Sequence, residues 1–169
     1  YAVAAAKRGE RSTLFTFDES VGTLIMRSEG LGIPLRKHME AGRIRVQQVD
    51  PGEMSPGEFI YAIRSAVEKD AARMLVIDSL NGYLNAMPEE RFLTIQLHEV
   101  LTYLGQQGVV TLMVVAQKGL LGSGMQTPVD ASYLADTVIG LRYFEATGQL
   151  RRAISVVKKR SGAHEDTLR

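Results

Sequence analysis

Cysteine is missing from all 169 residues, which excludes a disulfide framework, a thiolate metal site and a cysteine nucleophile. An excess of one charge sign is missing too. Twenty Lys and Arg stand against 19 Asp and Glu, so no bulk electrostatic pull toward nucleic acid or anionic lipid exists. No apolar run approaches the roughly 20 residues that a membrane-spanning helix needs, and no signal peptide is visible, so a cytoplasmic location is expected. His38, His98 and His164 are widely separated, and His98-Glu-Val-Leu-Thr102 lacks the second histidine of a zinc helix, so no transition-metal site is expected. A phosphate-binding loop closing on Gly-Lys-Ser/Thr is also absent. None of the six lysines is followed by Ser or Thr.

What is present reads as one packed domain over residues 1–169: 45% apolar and 23% charged residues rule out disordered, collagen-like and coiled-coil chains. Ala2 to Arg8 is helix-like and stops at Gly9. Ser12 to Phe17 is β-branched and aromatic, a strand that halts at Asp18-Glu19. Leu24, Ile25, Ser28 and Leu31 recur at helical spacing before Gly32-Ile-Pro34. Arg43 to Val49 alternates as a half-buried strand does. Ser55-Pro56-Gly57-Glu58 is a capping box ahead of Phe59, Ile60, Ile63 and Val67. Met74 to Ile77 is a continuous apolar run, as in a strand covered on both faces, and ends at Asp78-Ser79. A helix carrying Leu93, Leu97, Val100, Leu101 and Leu104 follows, and then a second buried strand is expected over Val109 to Ala116. Gln117 to Ser132 reads as a long functional loop, and Thr137–Leu141 and Arg151–Val157 flank a turn at Ala146-Thr-Gly148.

Alternating strands and helices predict an α/β domain with a mostly parallel sheet, which binds ligands beyond the carboxyl ends of its strands. Three polar sets fall there: Asp18-Glu19, Asp78-Ser79 and Gln117. An aspartate closing an apolar strand is the pattern of a Walker B carboxylate that holds Mg²⁺ beside a nucleotide, and it is equally a cap for the next turn. Asp18-Glu19 fits a carboxylate that polarises a water attacking a γ-phosphate, or an acidic start to a helix. Gln117 by itself reads as a strand-end amide that can both accept and donate, and that can equally satisfy loop backbone. Lys158-Lys-Arg160 by itself reads as a solvated charge run or a nonspecific nucleic-acid patch. Gly119 to Gly124 lacks a lysine and a following periodic helix, and reads as a flexible loop.

Leu14-Phe-Thr-Phe-Asp-Glu-Ser20, Leu75-Val-Ile-Asp-Ser-Leu80, Tyr133-Leu-Ala-Asp-Thr-Val138 and Val157-Lys-Lys-Arg-Ser-Gly-Ala-His164 together resemble the KaiC-like ATPase domains of the RecA superfamily, over essentially the whole chain. The resemblance implies a RecA-like P-loop NTPase core, its parallel sheet sandwiched by helices and followed by a C-terminal β-hairpin. It implies ATP and Mg²⁺ as ligands, with Asp78 on the metal, Asp18 and Glu19 as catalytic carboxylates and Glu19 as the base. Ser79 and Gln117 would contact the nucleotide. Lys158, Arg160 and His164 would reach the ATP of a neighbouring subunit in a hexameric ring with signalling or regulatory output. At the position of Gln117 the clock proteins commonly carry an acid. The family's phosphate loop precedes the helix with which Tyr1 begins, so the first strand and the Walker A loop are expected upstream. The polypeptide as written is accordingly expected to bind ATP poorly and hydrolyse it negligibly. Two rivals stand beside this reading. One is a catalytically silent ring-forming scaffold. The other is a DNA-directed motor, disfavoured by the absence of Arg and aromatic residues from Gly119 to Thr127.

Overall fold

The computed structural model describes residues 1–50, 52–85, 90–116 and 133–163. The chain divides into two compact units, Tyr1–Ala116 and Gln117–Arg169. The first unit is built on four parallel strands in the order β2-β1-β3-β4: β1 (Arg11–Thr16), β2 (Ile44–Gln48), β3 (Ala72–Asp78) and β4 (Val110–Val114). Among the described residues six helices accompany them, α1 (Ala2–Lys7) ahead of β1 and then α2 (Val21–Gly30), α3 (Leu35–Glu40), α4 (Pro56–Glu68), α5 (Leu80–Asn85) and α6 (Glu90–Gln106) between strands.

Side chains alternate across a strand, so the ladder register sorts the sheet into two faces. One face carries Leu14, Ile44 and Val46, which pack with Ala6, Leu24, Ile25 and Leu35 of α1 to α3. Phe15 lies on the other face and meets Phe59 of α4 edge-on at 5.2 Å. Tyr103 of α6 donates to Glu68 of α4 at 2.8 Å, which joins these two helices. Helices therefore cover both faces, as the apolar run in β3 demands: Met74, Leu75 and Ile77 are all buried.

The capping box forms as the sequence predicts. Glu58 N–H donates to Ser55 Oγ, and the Glu58 carboxylate accepts from Ser55 N–H at 2.8 Å. Three expectations need correction. Val109 to Ala116 does not form a strand buried on both faces: β4 ends the strand order, and Val110 and Val114 are exposed. Leu31 is not a core position, because α2 ends at Gly30 and leaves Leu31 exposed as its C-cap. Two short helices, α3 and α5, occupy stretches expected to be connections.

At the starts of the strands, arginines tie the connections together. Arg11 donates to the Asp70 carbonyl at 3.1 Å, Arg45 pairs with the Asp70 carboxylate at 2.8 Å, and Arg43 donates to the Gly9 carbonyl. A cavity of about 460 Å³ opens among these residues, at the opposite end of the sheet from the carboxyl termini of the strands.

The second unit contains an antiparallel hairpin of β5 (Thr137–Ala146) and β6 (Gln149–Lys159). Thr147 and Gly148 both take positive φ, 52° and 69°, as a two-residue turn matched to the twist of its strands requires. The strands run several residues beyond the segments that the sequence pattern marks.

Candidate functional site

The carboxyl ends of β1 and β3 are locked side by side. Thr16 pairs with Asp78 on the last rung of the ladder, and Phe17 N–H donates to the Asp78 carbonyl at 2.8 Å. Asp18 and Glu19 therefore leave the sheet next to Asp78-Ser79, which is sixty residues away in sequence. The Ser79 hydroxyl donates to Asp18 Oδ2 at 2.8 Å and accepts from Gly82 N–H at 3.2 Å. Ser79, expected to contact a nucleotide, is buried, and its one proton is committed to Asp18.

Glu19 accepts an ion pair from Arg27 of α2 at 2.5 Å. Among the described residues no donor reaches the Asp78 carboxylate. Partial burial raises its pKa above the ordinary value; Arg27 opposes this shift, and the charges of Glu19 and Asp18 add to it. One guanidinium and three carboxylates thus feel one another at a single rim.

Residues that sequence reasoning passed over hold this rim in place. Phe17, just before the acidic pair, packs edge-on against Phe59 at 5.4 Å and against Tyr83 of α5 at 6.1 Å. Tyr83 is buried deeply enough to push its phenol up to about 12. Gly82 lets α5 approach β1: a Cβ there would meet Phe17 Cβ at 2.4 Å and Asp18 Oδ2 at 3.2 Å. Asn81 clasps the exit of β4, accepting from Ala116 N–H at 2.7 Å and donating to the Ala116 carbonyl at 3.2 Å. That clasp fixes the backbone just before Gln117. Gln117 itself and His164 lie outside the described residues.

In the hairpin unit, Arg160 at the end of β6 donates to the Tyr133 carbonyl at 2.6 Å and pairs with Asp136 at 3.3 Å. Its guanidinium, with five N–H donors, stays partly exposed. Lys158 is half-buried on the same strand.

The oxygen-only donor set at the rim suits a hard cation. Among the described residues no group of three or more His, Cys, Asp or Glu converges as a metal cage. Mg²⁺ asks for less than a cage, since it is held by one or two carboxylates with waters and substrate phosphates completing its shell. A half-buried carboxylate with no donor among the described residues, as Asp78 presents, fits that requirement.

A parallel α/β sheet with helices on both faces, an apolar strand ending in Asp78 and an antiparallel hairpin in the second unit make up a RecA-like fold. A family model described as "ATPase: KaiC" matches residues 1–168, and the chain belongs to that family. It is 26% identical over 161 residues to the circadian clock protein KaiC3 of Synechocystis, covering 95% of this chain and 32% of that protein. To the circadian clock oscillator protein KaiC of Acaryochloris marina it is 25% identical over 165 residues, covering 98% of this chain and 31% of the relative. The corresponding protein of Prochlorococcus marinus subsp. pastoris is 26% identical over 160 residues, covering 95% and 31%. The chain thus spans about a third of the length of these curated relatives.

Proposed function

We propose that this chain belongs to an ATP-hydrolysing KaiC-family domain whose catalytic and metal-binding carboxylates stand at the rim of the parallel sheet. The observation that carries this reading is the Asp78 carboxylate, which meets no donor among the described residues, on the rim it shares with Asp18 and Glu19. β3 is then the Walker B strand, and Asp78 holds Mg²⁺. The cation supplies charge that offsets the negative charge of the transferring phosphoryl group.

Glu19 orients the attacking water and accepts its proton, with Arg27 fixing the direction of the carboxylate. Asp18, engaged by Ser79, keeps the turn after β1 in register with β3. In this reading Gln117 is a nucleotide-contacting residue, as the family resemblance implies. Lys158, Arg160 and His164 face the ATP of an adjoining protomer in a hexameric ring, where cations supplied in trans stabilise developing charge. Exchanging its present partners, Asp136 and the Tyr133 carbonyl, for phosphate oxygens leaves Arg160 with a charge-assisted pair. The clock names of the relatives support a signalling or regulatory output. Among the described residues no helix is long and apolar enough to cross a membrane, which suits a cytoplasmic ring.

The test is Glu19→Gln in the full-length protein. Its turnover of ATP falls about 10²-fold or more, the range for loss of a positioned base, while ATP binding persists. Turnover at the wild-type rate, measured as phosphate release, contradicts the reading.

A further inference from the structure

Thr16 is the last residue of β1, only 2% exposed, and its hydroxyl has no hydrogen-bond partner. A buried polar atom left unpaired calls for an explanation, and an unseen water or ion is the usual one. The ladder gives its surroundings. Thr16 stands opposite Asp78 on one side and Gln48 on the other, so all three side chains share the face covered by α1 to α3. Neighbouring strands lie roughly 4.8 Å apart. The two side chains make no direct hydrogen bond, and a water bonded to both would satisfy the hydroxyl. The partly buried carboxylate likewise has no donor among the described residues, and it stands on the next strand at the same rung.

We propose that Thr16 is a positioning residue of the Asp78 site: its hydroxyl anchors a water on the carboxylate, and that water belongs to the hydration shell of the divalent cation. This rests on the reading of Asp78 as the metal carboxylate. Mg²⁺ dehydrates reluctantly and keeps several waters, so a residue that orders one of them strengthens binding without touching the ion.

Mn²⁺, a paramagnetic probe, is titrated into the full-length protein with ADP present, and free ion is read by electron paramagnetic resonance. Thr16→Val keeps the shape and removes the hydroxyl; it weakens Mn²⁺ affinity about tenfold, at the lower end of outer-shell effects. Thr16→Ser restores affinity to within about twofold of wild type. Without metal the valine variant still melts cooperatively and near the wild-type temperature, because it loses only one hydroxyl–water bond. If the valine variant fails to fold, Thr16→Ala gives the same comparison. Wild-type affinity in the folded variant lacking the hydroxyl overturns the proposal. Asp78→Asn separates the two levels: if it too binds Mn²⁺ as wild type does, the metal reading itself falls. If it binds weakly while Thr16→Val does not, only the role of Thr16 falls.

Discussion

Asp78→Asn is expected to lower Mg²⁺-dependent ATP turnover of the full-length protein about 10²- to 10³-fold while making the fold more stable at neutral pH. The rate loss is of the size seen when one preorganised contact to the transition state is removed. The stability gain follows from the position of the carboxylate. Its pKa is raised in the folded state, chiefly by burial, so the folded protein binds this proton more tightly than the unfolded chain does. Stability from this group is therefore present at low pH and lost as pH rises from the ordinary carboxylate range through the raised value. Asparagine carries no such charge. Thermal melts place the variant above wild type at neutral pH, with the gap closing on acidification below the ordinary carboxylate range. Equal melting temperatures at all pH values would mean that Asp78 is not desolvated, and unchanged turnover would mean that it holds no metal.

The second large effect is steric. Gly82→Ala is expected to destabilise the protein by about 1–3 kcal/mol, the usual cost of overpacking. Alanine favours a helix over glycine by about 1 kcal/mol, yet the clash prevails. The new methyl lies 2.4 Å from Phe17 Cβ, an atom fixed close to the backbone of β1, so either β1 or α5 must move. Moving them disturbs Asp18 as well, and turnover falls with stability. Gly105→Ala on α6 is the control, since nothing lies within 4 Å of its added methyl. It leaves stability unchanged or raises it. Chemical denaturation of the two variants decides, and equal stabilities would contradict the close approach of α5 to β1.

Signals confined to a few consecutive residues gave correct expectations. The capping box at Ser55, the apolar run ending at Asp78 and the hairpin turn within Ala146-Thr-Gly148 all hold. The acidic pair could be placed at a sheet rim because Thr16 and Phe17 read as the end of a strand. What depended on neighbours was illegible. The edge position of β4 among the described residues follows from strand order, which its mostly apolar sequence, broken only by Thr111, cannot express. Helix α5 was hidden by Asn81-Gly82, a pair that ordinarily marks a turn. Here the amide clasps Ala116, and the missing side chain admits Phe17. Arg27 carried no mark of its own, because its partner Glu19 lies eight residues back, across the start of α2. The commitment of Ser79 to Asp18 joins two strands far apart in sequence and was invisible from either one.

Paramagnetic broadening of backbone amide signals by Mn²⁺ with ADP, in the full-length protein, tests the central claim most directly. The site at the carboxyl rim predicts joint loss of signal at Phe17, Asp18, Glu19, Asp78 and Ser79, with Arg43, Arg45 and Asp70 at the far end of the sheet unaffected. Broadening centred on those arginines, or spread evenly over both ends, would contradict it.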